Sequence, residues 1–133
     1  MLDKASLSLL RKCHPDLAKV IVRAEELAPG TFKVTETART SERQAQLYKR
    51  GATRTMNSRH IPETSKANPA FAHAVDIVCL VDGKGRYDWP LFPRAAAVVK
   101  RAAKELKIPV EWGGDWPRFK DGPHFQLPWG AYP

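Results

Sequence analysis

The apolar stretch AVDIVCLV, at residues 74–81, is the most informative part of this sequence. It is rich in β-branched residues and ends at Asp82-Gly83, a pair typical of a tight turn, so it predicts a strand that opens a hairpin. The sequence RYDW, at residues 86–89, is expected to return as the partner strand. Asp76 interrupts the apolar run, and a buried carboxylate needs a partner charge, hydrogen bonds or a metal ion. The stretch therefore predicts both a sheet and a functional group on it.

The segments on either side carry both helical and strand patterns. Apolar spacing or a capping-box pattern predicts helices at residues 15–27, 41–50 and 90–106. Further strands are predicted within residues 31–39, 109–116 and 122–129. Because these elements do not alternate regularly, the sequence predicts an α+β fold in which a small, mostly antiparallel sheet packs with helices. Residues 51–71 follow neither period and are expected to form a long functional loop.

Length and composition limit the classes of protein to which the chain can belong. Its 133 residues predict a single domain over residues 1–133. No stretch approaches the roughly 20 apolar residues of a membrane span, and residues 1–7 lack a signal-peptide pattern. We therefore expect synthesis in the cytoplasm without an export signal, and no membrane anchor. The net charge of +8 favours a polyanionic partner, either nucleic acid or an anionic cell wall.

Two cysteines occur, Cys13 in a helical pattern and Cys79 in the apolar run. Both suit the role of a small buried apolar residue, so no disulfide is expected between them. The sequence also lacks a helix-turn-helix, a paired-cysteine or an aromatic-sheet signature. A nucleic-acid partner is therefore not expected, and the chain is expected to act as a monomer.

The histidines supply the candidates for chemistry. His14 precedes Pro15 at a predicted helix start, which suits a cap or a surface residue. His124 follows a Gly-Pro turn, and either His60 or His73 could join it beside Asp76. Two histidines and one carboxylate can bind zinc and leave a fourth position open, as catalytic zinc sites do. The spacing alone does not choose between His60 and His73.

Three short motifs resemble a known family: Ser58-Arg59-His60, His73-Ala74-Val75-Asp76 and Asp121-Gly122-Pro123-His124. They are similar to the zinc-site signatures of phage L-alanyl-D-glutamate endopeptidase endolysins, which are relatives of the D-alanyl-D-alanine carboxypeptidases. HPDL at residues 14–17 and WGGDW at residues 112–116 match the same family in the same order. The resemblance therefore covers nearly the whole chain.

The resemblance implies a role for each site residue. His60, Asp76 and His124 would bind Zn²⁺ in a cleft of a D-alanyl-D-alanine peptidase or hedgehog-like fold, and Asp121 would be the catalytic acid and base. Arg39 would hold a substrate carboxylate or steady a developing oxyanion, the alternative being a surface ion pair. His73 would then lie behind the ligands or serve the structure. Among the tryptophans, Trp116 alone is expected to face the cleft.

Two departures from the family pattern concern the site. The link between the first two ligands, residues 61–72, is longer than usual, although loop closure costs little more as a loop lengthens. Gln126 stands where an acidic residue is common, which predicts the loss of a partner that tunes a ligand histidine.

The function implied by the resemblance is hydrolysis of peptidoglycan stem peptides. The chain would be an L-alanyl-D-glutamate endopeptidase that acts on the wall after holin-type release during phage lysis, and its positive charge would attract anionic cell-wall polymers. A D-alanyl-D-alanine carboxypeptidase and a non-catalytic zinc domain that binds the wall are the alternatives.

Overall fold

A computed structural model describes residues 2–53 and 55–133. The described residues form four α-helices: α1 (Lys4–Leu10), α2 (Pro15–Leu27), α3 (Ser41–Lys49) and α4 (Phe92–Leu106). They form five strands: β1 (Phe32–Glu36), β2 (Ala74–Val81), β3 (Lys84–Arg86), β4 (Glu111–Trp112) and β5 (His124–Gln126). None of the described helices has the length and apolar character that would let it cross a membrane.

The strands form one antiparallel sheet with β2 at its centre. The order is β1-β2-β5-β4, and β3 pairs with the far end of β2. In this register Asp76 lies opposite His124 of β5 on one side and opposite Glu36 of β1 on the other. The predicted α+β fold with a small antiparallel sheet is confirmed, and the sheet brings polar residues from three strands to one place.

The hairpin return strand differs from the prediction at residues 86–89. Asp82 and Gly83 both have positive φ angles, 54° and 77°, which suits a two-residue turn between antiparallel strands. The turn therefore places Lys84 directly opposite Val81, and pairing runs only as far as Arg86. The strand begins earlier and ends earlier than predicted, because pairing starts as soon as the turn is complete.

The core lies where α2 and α4 pack against each other and against the sheet. Both helices present one apolar face, as their spacing predicted. The buried residues of these faces are Leu17, Val20, Ile21 and Ala24 of α2, and Phe92, Ala95, Ala96, Val99, Ala102 and Ala103 of α4. From the sheet, Phe32, Val75, Ile77 and Phe125 join the same cluster.

The helical placement of Cys13 is wrong. The short helix α1 ends before it, and Cys13 instead forms a parallel bridge with Ala72, next to the start of β2. The Ser6 hydroxyl of α1 accepts a hydrogen bond from the Val34 backbone N–H of β1 at 2.9 Å, so tertiary contact fixes this helix. Cys79 is buried in β2 as predicted, and both cysteines are free thiols.

The long loop predicted at residues 51–71 is present, although residue 54 lies outside the described residues. A single 3₁₀ turn, Pro62–Thr64, interrupts it. The loop is attached to the end of the chain, because the Pro133 carbonyl accepts hydrogen bonds from the Ser65 hydroxyl at 2.8 Å and the Ala67 N–H at 3.2 Å. These bonds support the segment that carries His60.

Candidate active site

Three side chains meet at one end of the sheet: His60, Asp76 and His124. Their candidate ligand atoms all lie within 4.8 Å of one another. Asp76 Oδ1 is 3.0 Å from His60 Nε2 and 3.1 Å from His124 Nδ1. His73, the other candidate, is not part of this cluster, since its Nδ1 contacts the Phe71 carbonyl at 2.9 Å. The geometry therefore brings together His60 and not His73.

The sheet positions two members of the cluster and the loop positions the third. Asp76 and His124 are direct partners in the β2–β5 register, so backbone pairing holds their side chains side by side. His60 arrives from the loop, where its carbonyl accepts a hydrogen bond from the Arg39 N–H at 2.7 Å. The longer link of residues 61–72 does not keep His60 from Asp76.

The electrostatics of the cluster favour a carboxylate between two imidazoles. Burial opposes ionisation of Asp76, but the charges and hydrogen bonds of His60 and His124 outweigh it and hold its pKa well below the ordinary value. For His124, burial disfavours the protonated form, yet the contact with Asp76 raises the net pKa. These groups compensate one another, and a bound cation would take the place of the histidine protons.

The second ring nitrogen of each histidine contacts an acceptor outside the cluster. His60 Nδ1 donates to the Thr37 carbonyl at 2.7 Å, and His124 Nε2 is 2.8 Å from the Gln126 side-chain oxygen. Such outer bonds direct the remaining lone pair of each ring toward a metal. Two nitrogens and one carboxylate oxygen with these supports fit a divalent metal such as zinc. The predicted loss of a partner at Gln126 is wrong, because Gln126 itself supplies the contact.

Asp121 is positioned by tight backbone contacts with the 3₁₀ turn Gly113–Asp115. Its N–H donates to the Gly113 carbonyl at 3.0 Å, and its own carbonyl accepts from the His124 N–H at 3.2 Å. Gly113 is required for this approach, because a Cβ there would lie 2.4 Å from the Asp121 carbonyl oxygen. Burial, and next the charge of Asp76, raise the pKa of Asp121. The sequence marked Asp121 but gave no signal for the role of Gly113.

Arg39 lies in the wall of the site, with 10% of its side chain exposed. It pairs with Glu36, donates to the Gln44 side-chain oxygen at 2.7 Å, and places Nη2 3.9 Å from Asp76 Oδ2. The ion pair considered as an alternative is therefore present, but inside the cavity wall instead of on the outer surface. The remaining N–H groups of the guanidinium are the ones available to a substrate.

The cluster opens into a cavity of about 740 Å³. Trp116 faces it as predicted, with its ring 5.2 Å from that of His124. Trp129 lines it too, so the expectation that Trp116 alone faces the cleft is wrong; Trp129 stacks on Arg59 at 4.0 Å. Other charged residues of the walls are Glu36, Arg39, Arg43, Glu111, Arg118 and Asp121.

Comparison with known proteins assigns the chain to a family. The family model described as phage L-alanyl-D-glutamate peptidase matches residues 1–127. An L-alanyl-D-glutamate peptidase of Listeria phage A118 is 37% identical over 97 residues, which are 73% of this chain. The chain spans only 30% of the length of that relative.

Solved structures show the same fold. Serratia marcescens L-Ala D-Glu endopeptidase ChiX matches with a TM-score of 0.85 and 39% identity, over 100% of this chain and 94% of that one. The vancomycin-resistance D,D-dipeptidase VanXYg matches with a TM-score of 0.51 and 17% identity, over 86% and 50% of the two chains. The predicted relation to the D-alanyl-D-alanine peptidase fold is thus confirmed. With its helices, sheet and His-Asp-His cluster in this arrangement, the chain belongs to the phage L-alanyl-D-glutamate peptidase family.

Proposed function

We propose that this chain is a zinc-dependent endopeptidase that hydrolyses the L-alanyl-D-glutamate bond of peptidoglycan stem peptides. The observation that carries the proposal is the cluster of His60, Asp76 and His124 in the wall of the cavity that Asp121 also lines. The family membership and the similarity to ChiX over the whole chain support the same activity.

The metal would be held by His60 Nε2, His124 Nδ1 and a carboxylate oxygen of Asp76. Zinc in such a site polarises a substrate carbonyl and lowers the pKa of a water molecule to about 7. Three protein ligands leave room for substrate or water, which is typical of a catalytic rather than a structural zinc site.

Asp121 is proposed as the group that carries the proton. Its raised pKa makes it a better proton acceptor than an ordinary aspartate, which suits general acid and base catalysis closer to neutral pH. It would take a proton from the attacking water and deliver it to the leaving amine of the D-glutamyl residue. The backbone contact with Gly113 would keep it in place for both transfers.

The arginines of the cavity suit an anionic substrate. Arg39 reaches to 3.9 Å from Asp76, so its free N–H groups could bind a substrate carboxylate or a developing oxyanion beside the metal. Arg43 and Arg118 are exposed on the cavity walls. Stem peptides carry carboxylates, and the net charge of +8 would also attract anionic wall polymers.

In its biological setting we propose that the protein acts during phage lysis. It would be made in the host cytoplasm, act as a single domain and a monomer, and reach the wall after a holin-type protein permeabilises the membrane.

The test is digestion of purified peptidoglycan by zinc-loaded and chelated protein, with the released ends identified by mass spectrometry. New N-terminal D-glutamyl or D-isoglutaminyl ends that depend on metal are expected. Asp121→Asn should keep zinc and lose activity, whereas His124→Ala should lose both. Release of free D-alanine would instead indicate a carboxypeptidase, and zinc-bound folded protein that gives no products on several wall types would indicate a binding domain.

A further inference from the structure

A chain of hydrogen bonds begins at His124 and leads away from Asp76. His124 Nε2 lies 2.8 Å from Gln126 Oε1, and Gln126 Nε2 donates to Glu111 Oε2 at 3.2 Å. Glu111 and Gln126 are direct partners in the β4–β5 register, so the sheet places their side chains together. His124 and Gln126 are both buried, while Glu111 is exposed. The outer end of this chain of hydrogen bonds is therefore the solvent-exposed carboxylate of Glu111.

The amide of Gln126 can face His124 in two ways, and they have opposite consequences. With its oxygen toward His124, it accepts from an Nε2–H and leaves the Nδ1 lone pair available for a metal. With its NH₂ group toward His124, Nε2 would have to accept, and the ring proton would sit on Nδ1 facing Asp76. The second arrangement satisfies every hydrogen bond near His124 but cannot bind a metal through Nδ1.

Glu111 distinguishes between these two arrangements. An ionised carboxylate only accepts hydrogen bonds, so it favours the Gln126 NH₂ group on its own side and opposes the amide oxygen there. The amide oxygen must then point at His124. Within the described residues no other side chain is recorded in contact with the Gln126 amide.

We propose that Glu111 is a positioning residue that, through Gln126, keeps the proton of His124 on Nε2 and its Nδ1 ready for the metal. This inference rests on the proposed metal site and goes beyond the proposed function, because it assigns a role to two residues that need not touch metal or substrate. Glu111 acts by disfavouring a state of the site that cannot bind metal.

The principal test is Glu111→Gln, a nearly isosteric change that lets residue 111 accept or donate and so removes the preference. Zinc affinity, measured by competition with a chromophoric chelator, is expected to fall about 10-fold, the lower end of the usual effect of such outer partners. In metal-free protein in mildly alkaline buffer, ¹⁵N NMR should show His124 Nε2 protonated in the wild type. The variant should show a population in which Nε2 has lost its proton.

An exchange of the two side chains provides the rescue. In the double variant Glu111→Gln, Gln126→Glu, the carboxylate at position 126 can only accept from Nε2–H, and the amide at position 111 can donate to it. Charge and bond direction are both preserved, so zinc affinity should return to within about three-fold of the wild type, with Nε2 protonated again. Asp115→Asn is the control, because it removes the same charge from a carboxylate that pairs with Lys100.

The inference is overturned if Glu111→Gln binds zinc as tightly as the wild type and keeps Nε2 protonated. It is also overturned if Asp115→Asn weakens zinc binding equally, since the effect would then be one of net charge. Neither readout uses peptidoglycan. A wild type that binds zinc with Nε2 protonated but cuts no wall would refute the proposed function and leave this inference standing.

Discussion

Replacing Arg59 by lysine is expected to loosen the segment that carries His60. Arg59 is only 1% exposed, although it is one of the largest side chains in the molecule. Its guanidinium donates to the Leu127 carbonyl at 3.3 Å and to the Tyr132 carbonyl, and it lies 4.0 Å from the centre of the Trp129 ring. Arg59, which directly precedes His60, therefore links this segment to residues 127–132.

The size of the effect follows from these contacts. Each hydrogen bond from a charged donor contributes about 1.5–3 kcal/mol, and the contact with the Trp129 ring about 0.5–2 kcal/mol. Lysine can remake one of the two bonds but cannot span both carbonyls. The loss is reduced because Nη1 of Arg59 is buried without a hydrogen bond. We therefore expect the free energy of unfolding to fall by about 2–4 kcal/mol, or roughly 10 °C in melting temperature.

Urea unfolding followed by circular dichroism measures this change. The matched control is Arg23→Lys, because Arg23 makes exposed ion pairs with Glu26 and Glu105, which water screens and which contribute little to stability. Zinc affinity should also fall in Arg59→Lys and stay unchanged in Arg23→Lys. If the two variants unfold at the same urea concentration, the contacts of Arg59 do not support the His60 segment.

Three further results are expected. Gly113→Ala should lower kcat about 10- to 100-fold in a muropeptide cleavage assay, because the added Cβ would displace Asp121. The control Gly130→Ala, where a Cβ meets only open space, should be as active as the wild type. Equal activities of the two variants would count against the role of Gly113. Burial lowers the pKa of His73 to about 4. Below about pH 6.5 the unfolded chain therefore takes up a proton at this histidine that the folded protein does not, and the free energy of unfolding falls as the pH drops toward 4. His73→Gln should therefore lose less stability than the wild type between about pH 7 and about pH 4.5 in urea unfolding, by up to about 3 kcal/mol, and identical losses would exclude this account. Chelation should lower the melting temperature of the wild type reversibly but not that of His124→Ala, and a chelator effect on both proteins would argue against the site.

The sequence predicted the elements that carry a strong local pattern. The helices now bounded as Pro15–Leu27 and Phe92–Leu106 were found from apolar spacing, and the strand Ala74–Val81 from its β-branched run. Helix α1 was missed, because seven residues give too few turns for a period to show and its stability comes from the contact of Ser6 with β1. Cys13 was assigned to a helical pattern, but α1 ends at Leu10 and Cys13 pairs with Ala72 instead.

For the site, the residue types alone predicted two histidines and a carboxylate that could bind a metal, but not which histidines lie beside Asp76. Asp76 stood out because it interrupts an apolar run, yet spacing left His60 and His73 as equal candidates. The choice depends on where the long loop turns back, which the contacts of Ser65 and Ala67 with Pro133 help to fix. Gln126 was interpreted as the loss of a hydrogen-bond partner for a ligand histidine, because a motif shows the residue type but not the direction in which the side-chain amide points.

The pairing of Asp76 with His124 across two strands also affects how the family can change over evolutionary time. A one-residue insertion in β2 or β5 would turn one of the two side chains to the opposite face of the sheet, so the lengths of these strands are expected to be preserved. His60 is not held by strand pairing of this kind. Residues can therefore be added or removed between His60 and Asp76 while both side chains keep their places in the site. Natural variation and laboratory grafting of new specificity should therefore concentrate in residues 61–72, while the paired strands β2 and β5 keep their lengths.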